Sequence, residues 1–230
     1  MALLEMKDIH KSYRKGTQTI PALRGVDLTI DRGEFLCVVG PSGSGKTTLL
    51  NIVGCLDVPS SGSVRYEGVE LVGMSETDLA AYRRDNIAFI FQSYNLIPVL
   101  TVLENVELPL VIEKKYGPRE RLERAKEMIE LVGLGGMEER RPNELSGGQE
   151  QRVAIARALV KEPLVVLADE PTANLDSDTS EEIVSVMERM NRERRTTFVF
   201  STHDPLVVKH AQRVATIRDG RIFSDERNPR

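Results

Sequence analysis

Cysteine is scarce in this sequence. Only Cys37 and Cys55 occur among 230 residues, and they do not form a C-x-x-C pair. This spacing excludes a zinc-ligand pattern and a dithiol redox motif, so we interpret both thiols as small core residues in a reducing compartment. Cys37 falls in a predicted strand, and Cys55 falls in the first predicted helix.

Long apolar runs are also absent. No stretch approaches the roughly 20 residues that a spanning helix needs. The first residues, MALLEMKDIHKSY, carry charges where a signal peptide has its hydrophobic region. We therefore expect a chain that stays in the cytoplasm and does not insert directly into a membrane.

Positive charge is not in excess either. Lys and Arg total 31 against 35 Asp and Glu, giving a formal net charge of −4, so no general basic field points to nucleic acid. What the chain does have is 40% hydrophobic residues, enough for a sizeable core. We predict one domain, with room for an insertion.

A glycine-rich stretch, GPSGSGKTT at residues 40–48, lies between a predicted strand and a predicted helix. Residues 35–39 are a short apolar run, and Leu49, Ile52, Val53 and Leu56 recur at helical spacing. The glycines let backbone N–H groups turn towards an anion, and the helix N-terminus adds partial positive charge. The stretch therefore predicts a phosphate-binding loop, in which Lys46 reaches β- and γ-phosphates and Thr47 holds Mg²⁺.

Two other residues have two interpretations each. Tyr13 lies among polar neighbours near a turn, so it is either a surface tyrosine or an aromatic that stacks on a base. Gln92 closes the apolar run at residues 87–91, where it either caps the strand or coordinates Mg²⁺ and orients a water molecule. The residues alone do not separate these alternatives.

From about Ser93 to Leu159 the pattern is helical, with one apolar stripe formed by Leu122, Ala125, Ile129 and Val132. The motif LSGGQ at residues 145–149 opens the last helix of this block. Ser146 and Gln149 fit a capping box. Gly147 and Gly148 leave the helix N-terminus bare, which suits a second anion.

Two further strands end in polar residues. The run at residues 164–168 leads to Asp169 and Glu170, which alternate in direction and can do different work. Asp169 suits Mg²⁺ coordination, and Glu170 suits accepting a proton from an attacking water. The run at residues 196–200 leads to His203, which we interpret as a γ-phosphate sensor or proton partner.

Taken together, these motifs make the chain resemble the nucleotide-binding subunits of ATP-binding-cassette (ABC) transporters over essentially its whole length. Residues 40–47 match the Walker A motif, Gln92 the Q-loop, residues 145–149 the family signature and residues 164–169 Walker B. Glu170 matches the catalytic base, residues 174–176 the D-loop, His203 the switch histidine and Tyr13 the adenine-stacking aromatic.

The resemblance implies an α/β fold: a P-loop NTPase core with a mainly parallel sheet, an antiparallel β subdomain and an inserted α-helical subdomain. It implies one ABC ATPase domain over residues 1–230. The core and β subdomain would take about 1–92 and 160–230, and the helical subdomain about 93–159. The helical block would also carry the contact surface for a membrane partner, with Gln92 at the hinge.

The resemblance also implies which residues act. ATP and Mg²⁺ are the implied ligands, and two ATP molecules are buried in a head-to-tail homodimer in which the signature of one protomer covers the nucleotide of the other. The implied catalytic residues are Lys46, Gln92, Glu170 and His203. The implied metal ligands are Thr47, Gln92 and Asp169. The implied nucleotide-binding residues are Tyr13, Gly40, Pro41, Ser42, Gly43, Ser44, Gly45, Lys46, Thr47, Thr48, Ser146, Gly147, Gly148, Gln149 and Asp176.

Within the family, residues 40–57 and 91–110 are most similar to the lipoprotein-release and macrolide-export (LolD/MacB) branch. This branch implies an ATPase that powers an integral membrane permease from the cytoplasmic face of the plasma membrane. Two alternatives are a regulator of the cell-division (FtsE) type and a DNA-maintenance ATPase. The distance from Thr47 to Leu145 leaves no room for the coiled-coil insertion of the DNA-maintenance class. Glu150 and Asn174 depart from the commonest family pattern.

Overall fold

A computed structural model of the protein describes residues 2–228. Its strands form two sheets, with helices packed on and between them. The strands are β1 (Ala2–Lys15), β2 (Gln18–Asp31), β3 (Phe35–Val39), β4 (Ser61–Tyr66), β5 (Val69–Glu70), β6 (Ile87–Ile90), β7 (Val165–Asp169), β8 (Thr197–Ser201), β9 (Arg213–Arg218) and β10 (Arg221–Arg227). The helices are α1 (Lys46–Val53), α2 (Glu76–Asn86), α3 (Val102–Glu113), α4 (Pro118–Leu131), α5 (Gly147–Leu159), α6 (Ser177–Arg194) and α7 (Pro205–His210), with a 3₁₀ turn at Pro142–Glu144.

The first sheet is antiparallel, in the order β2-β1-β4-β5. Apolar and polar residues alternate along β2, where Val26, Leu28 and Ile30 are buried while Asp27 and Thr29 are exposed. One face of such a sheet covers a core, and the other meets solvent. The predicted antiparallel β subdomain is present.

The second sheet has the order β10-β9-β3-β8-β7-β6 and is parallel except for its β9–β10 hairpin. Its central strands are continuous apolar runs because both faces are covered. Phe35 and Cys37 of β3 face the core shared with the helices α3 to α6. Leu36 and Val38 face the core shared with α1 and the antiparallel sheet. This mainly parallel sheet confirms the predicted α/β class.

Two of the hairpins have tight turns that end in glycine. The β9–β10 turn is Asp219-Gly220, and both residues have positive φ, 49° and 75°. Glu67 and Gly68 repeat the arrangement between β4 and β5, at 50° and 81°. Two successive positive φ angles match the right-handed twist of the flanking strands, and a glycine in the second position adopts one without strain.

Helices α3, α4 and α5 follow one another in the chain and pack together. Three residues of the predicted stripe on α4 and just beyond it are buried, namely Ala125, Ile129 and Val132. The prediction is wrong for the fourth residue, Leu122, which is exposed. Met128 takes its place in the buried face. Periodicity identified the helix but placed the edge of its apolar face one turn too early.

The apolar spacing also predicts a longer α1, one that reaches Leu56. The helix stops at Val53, so Cys55 lies in the following turn with φ of 54°, and Leu56 is exposed. Both cysteines are buried and free, as predicted. Burial raises the pKa of the Cys37 thiol to about 12 and that of Cys55 to about 11. Neither thiol is therefore a reactive nucleophile.

Asn105 is a fully buried amide that fixes the loop entering α3. Its Nδ2 donates to the carbonyl oxygens of Ile97 (3.1 Å), Leu100 (3.1 Å) and Thr101 (2.9 Å). Its Oδ1 accepts from the backbone N–H of Ile97 at 2.8 Å. We expect Asn105→Ala to lower the free energy of unfolding by about 2–4 kcal/mol, because four hydrogen bonds between the backbone and this buried side chain are lost. Urea unfolding measures this, and a loss below about 0.5 kcal/mol would contradict the role.

Candidate nucleotide-binding site

The candidate site is a cavity of about 740 Å³ at the carboxyl ends of β3, β7 and β8. This edge is where parallel α/β sheets bind ligands. The volume falls within the roughly 300–1,000 Å³ of small-molecule pockets. The cavity is lined by Ala22, Gly40, Pro41, Ser42, Gly43, Gly45, Lys46, Thr47, Thr48, Gln92, Asp169, Glu170, Ala173, Ser201 and His203.

The glycine-rich loop runs from the end of β3 to the start of α1, as predicted. Gly40 and Gly45 have φ of 156° and 110°. A Cβ on Gly40 would lie 2.2 Å from the carbonyl oxygen of Ile217, and one on Gly45 would lie 2.8 Å from that of Ala22. Glycine is therefore required at both positions by the close approach of neighbouring backbone as well as by φ.

The N-terminus of α1 is open to an anion. Its N-cap is Gly45, which offers no side chain to the first N–H groups, and the first turn contains no acidic residue. The first N–H groups of a helix have no intrahelical partner, so an anion is a natural acceptor for them. Lys46 Nζ meanwhile donates to the carbonyl oxygens of Gly40 (2.7 Å) and Pro41 (3.1 Å). These hydrogen bonds keep the positive charge of Lys46 next to the glycine-rich loop.

Ser44 is the one residue of the loop that does not line the cavity. It is buried, and its Oγ has no hydrogen-bond partner. Its backbone N–H donates to Pro41 and its carbonyl accepts from Gly220. Ser44 therefore holds the loop against the β9–β10 turn, and its predicted contact with a nucleotide stays a prediction.

Asp169 and Glu170 both line the cavity, which differs from the prediction that they point to opposite sides of a strand. Alternation ends because Glu170 leaves β7 with φ of 46°. Burial raises the pKa of Asp169, and the adjacent Glu170 raises it further, whereas a hydrogen bond from Ser201 and the charge of Lys46 lower it. Two carboxylates side by side are a natural place for a cation.

Glu170 is held at both oxygens. Thr202 Oγ1 donates to its Oε2 at 2.9 Å, and His203 Nδ1 lies 2.6 Å from its Oε1. Thr202 is fully buried, while the His203 side chain is 77% exposed. One carboxylate thus contacts an exposed imidazole and a buried hydroxyl. Thr202 was missed from the sequence, where it reads only as the end of a β-branched strand.

Gln92 lies beyond the end of β6, is exposed, and lines the cavity. Its backbone carbonyl accepts a hydrogen bond from Asn174 Nδ2 at 2.9 Å. The Asn174 departure from the family pattern thus has a structural consequence, since it joins two loops that border the site.

The signature residues lie away from this cavity. Ser146 is the N-cap of α5, and its capping box with Gln149 is confirmed by bonds of 3.3 and 3.0 Å. The glycines have a packing reason of their own. A Cβ on Gly148 would lie 2.4 Å from Thr179 Cγ2, and one on Gly147 would lie 3.1 Å from the Tyr94 hydroxyl. A second anion is not needed to explain them.

Two other predicted binding residues also lie outside the cavity lining. Asp176 is the N-cap of α6 and accepts from the backbone N–H and the hydroxyl of Thr179 at 2.9 and 2.7 Å. Tyr13 is 40% exposed on β1, and its hydroxyl donates to Asp57 at 2.8 Å. Within a single chain these residues have structural partners, and their contacts with a nucleotide stay predictions.

A phosphate-binding loop before α1, an aspartate that ends β7 with a glutamate directly after it, and a histidine after β8 define a P-loop ATPase. The family model of the ABC transporter matches residues 23–173. The chain therefore belongs to the ABC transporter family, and it is an ATP-binding and ATP-hydrolysing subunit of that family.

Similar proteins agree with this assignment. An uncharacterised ABC transporter ATP-binding protein, YvrO of Bacillus subtilis, is 47% identical over 225 residues, covering 98% of this chain and 97% of YvrO. The macrolide export ATP-binding/permease protein MacB of Syntrophobacter fumaroxidans is 47% identical over 223 residues. That match covers 96% of this chain but only 31% of MacB.

A solved structure is similar over nearly the whole chain. It is the dimeric post-hydrolysis state of the ATP-binding cassette MJ0796 from Methanocaldococcus jannaschii, bound to ADP and phosphate. Its TM-score is 0.89 and its sequence identity 44%, with 97% of this chain and 98% of that chain covered.

Proposed function

We propose that this chain binds ATP with Mg²⁺ in the cavity, dimerises around two ATP molecules, and drives a separate integral membrane permease. The observation that carries the proposal is the cavity itself, which collects Lys46, Asp169, Glu170 and His203 from the ends of three strands. A phosphate-binding loop and a carboxylate general base are the parts that phosphoryl transfer to water needs.

The residues present fit a nucleotide with a divalent cation. Among residues 2–228 no group of three or more His, Cys, Asp or Glu side chains is arranged for a metal. Thr47, Gln92 and Asp169 supply one hydroxyl, one amide and one carboxylate, which suits Mg²⁺ because Mg²⁺ completes its ligands with phosphate and water oxygens. When bound, the ion neutralises charge that develops on the phosphates.

The chain's own residues would divide the remaining work. The N–H groups at the start of α1 and the Lys46 ammonium bind phosphate oxygens. Glu170 accepts the proton of the attacking water at a carboxylate oxygen, and Thr202 fixes that carboxylate through its other oxygen. We propose that His203, which lies on the same carboxylate with an exposed side chain, turns towards a phosphate when nucleotide is bound.

Dimerisation is supported by the relative MJ0796, whose solved structure is dimeric with ADP and phosphate. We propose that Ser146, Gly147, Gly148, Gln149 and Asp176 act there, across the interface, on the nucleotide bound by the partner chain. In this arrangement the α5 N-terminus faces a triphosphate held by the other copy. The exposed position of Ser146 allows such a contact.

Glu170→Gln with ATP is expected to run as a dimer on size exclusion, because the triphosphate charges are neutralised by groups from both chains. ADP, or a further Ser146→Arg change, is expected to return it to a monomer. Ser75→Arg is the matched control, since Ser75 caps α2 in the same way but lies elsewhere. A Glu170→Gln/Ser146→Arg double variant that still dimerises with ATP would show that the signature does not cross the interface.

The permease partner is supported by the MacB relative, in which an ATP-binding part and a permease form one protein. Among residues 2–228 no helix is long and apolar enough to cross a bilayer. We propose export of lipoproteins, drugs or peptides, with the chain attached through its partner to the cytoplasmic face of the plasma membrane. Copurification from detergent-solubilised membranes would identify the partner.

We also propose that residues 93–159 form a helical subdomain that moves relative to residues 1–92 and 160–230. Exposed apolar residues on this block, including Val99, Val111 and Ile112, are suited to contact the permease. Tethering the block to the core with an engineered disulfide is expected to uncouple ATP hydrolysis from transport.

A further inference from the structure

Asp57 is a partly buried carboxylate between α1 and β4 that holds Tyr13 in place. Its Oδ2 accepts from the Tyr13 hydroxyl at 2.8 Å. Its Oδ1 accepts from Lys11 Nζ at 2.5 Å and from the backbone N–H of Val58 at 2.8 Å. Asp57 thus joins the strand that carries Tyr13 to the segment that follows the phosphate-binding helix.

The Lys11 ammonium lies over the ring of Tyr13. It is 5.1 Å from the ring centroid, within the range of a cation–π contact. The same ammonium donates to Asp57 and, at 2.8 Å, to the carbonyl of Val58. The Lys11 side chain is 12% exposed while Tyr13 is 40% exposed, so the ring keeps an accessible surface.

Backbone contacts continue this attachment. The N–H of Ser12 donates to Ser60 Oγ at 3.1 Å, and the N–H of Ser60 donates to the carbonyl of His10 at 2.7 Å. Residues 57–60 therefore follow β1 closely from His10 up to Tyr13. The position of the ring is set by these contacts and not by strand β1 alone.

Tyr13 also lies beside the cavity. Burial raises the pKa of its hydroxyl, the nearby Thr48 side chain lowers it in part, and the Asp57 carboxylate raises it. Thr48 is in the first turn of α1 and lines the cavity. The strand pairing places this part of β1 close to the cavity, because Lys11 and Ser12 pair with Leu23 and Pro21 of β2, on either side of the cavity-lining Ala22.

We propose that Asp57 is a positioning residue for nucleotide-base recognition: by fixing the hydroxyl of Tyr13 it holds the ring as a platform for adenine. This inference rests on the proposed function, in which the base stacks on Tyr13. Stacking is gained only if the ring is already in place, since ordering a free side chain on binding subtracts from the affinity. Asp57 acts through Tyr13 and touches no phosphate in this scheme.

A carboxylate with several hydrogen bonds also has a structural interpretation, and Glu70 provides the comparison. Glu70 ends β5, in the antiparallel sheet that also contains Tyr13. It accepts from Ser63 (2.5 Å), Arg65 (3.0 Å) and two backbone N–H groups. It has no contact with Tyr13 among the described residues. Asp57→Ala and Glu70→Ala therefore remove similar bonds, but only the first frees the ring.

The test measures the affinity of the full chain for ADP and for pyrophosphate by isothermal titration. Tyr13→Ala is expected to weaken ADP binding by about 5- to 150-fold, the range for losing an aromatic stack on a base. Asp57→Ala and Tyr13→Phe are each expected to weaken it by about 2- to 10-fold, the factor for freeing one side chain. Pyrophosphate has no base, so its affinity is expected to stay unchanged in all three.

Non-additivity provides the second readout. Tyr13→Phe/Asp57→Ala is expected to bind ADP no more weakly than either single variant, within about 2-fold, because both remove the same contact. Asp57→Asn keeps an acceptor for the hydroxyl and is expected to restore most of the affinity. In ATP hydrolysis the Asp57→Ala defect is expected in KM, with kcat unchanged.

Three outcomes would overturn the proposal. In the first, pyrophosphate affinity falls with ADP affinity in Asp57→Ala, so that Asp57 supports the phosphate site through α1. In the second, Glu70→Ala weakens ADP binding equally, so that the effect is general stability of the sheet. In the third, Tyr13→Ala binds ADP like the unmodified chain. Failure of the proposed function is distinct, because the unmodified chain would then not bind ADP.

Discussion

Glu170→Gln is expected to lower the rate of Mg²⁺-dependent ATP hydrolysis by about 10²- to 10⁴-fold, the contribution of a positioned general base. The amide keeps the shape of the side chain and can still accept from Thr202, but it cannot take a proton from water. ATP binding is expected to survive, since the phosphate-binding loop is separate from this carboxylate.

The measurement is steady-state phosphate release beside equilibrium ATP binding. Glu193→Gln is the matched control, an exposed glutamate of α6 away from the cavity. It is expected to keep the rate within about 2-fold, as surface changes do. A Glu170→Gln protein that hydrolyses ATP at the unmodified rate would rule out Glu170 as the base.

Lys46→Ala is expected to weaken ATP binding by about 100-fold or more, because hydrogen bonds between a charged donor and charged oxygens are the strong ones. In the structure the Lys46 ammonium donates hydrogen bonds to the carbonyl oxygens of Gly40 and Pro41 in the phosphate-binding loop. Phosphate oxygens are better acceptors for the ammonium than these carbonyls are. Removing Lys46 therefore destabilises the nucleotide complex more than it destabilises the free protein.

Titration with a fluorescent ATP analogue measures this change. A thermal unfolding curve serves as the control, since Lys46 also bonds its own loop and its loss can loosen the fold. Equal affinity before and after the substitution, with an unchanged melting temperature, would place Lys46 outside the phosphate site. The Glu170 and Lys46 variants thus separate hydrolysis from binding.

The local parts of this protein follow from its sequence. Apolar runs predict β3, β7 and β8 because a buried parallel strand must be apolar on both faces. Glycines before Lys46 predict the phosphate-binding loop, and Ser146 with Gln149 predicts the cap of α5. In each case the residues that give the signal lie within about ten positions of one another, so the local sequence alone is sufficient to predict the structure.

The sequence predicts the ends and the buried face of a helix less reliably, because packing against neighbouring elements determines both. Periodicity extended the first helix to Leu56, whereas α1 ends at Val53 and Leu56 is exposed. It also assigned Leu122 to the core of α4, where Met128 is buried instead. Hydrophobic spacing reports the face of a helix, but the neighbouring elements decide where that face begins and ends.

Only the tertiary structure decided how the site residues are oriented. Parallel register pairs β3 with β8 and β8 with β7, which brings distant strand ends to one edge. The left-handed backbone at Glu170 turns it into the same cavity as Asp169, against the strand alternation expected from sequence. Likewise Asp57 meets Tyr13, and Asn174 meets Gln92, across long separations. Such contacts arise from folding of the whole chain, because no local pattern specifies which distant partner a polar side chain will bond.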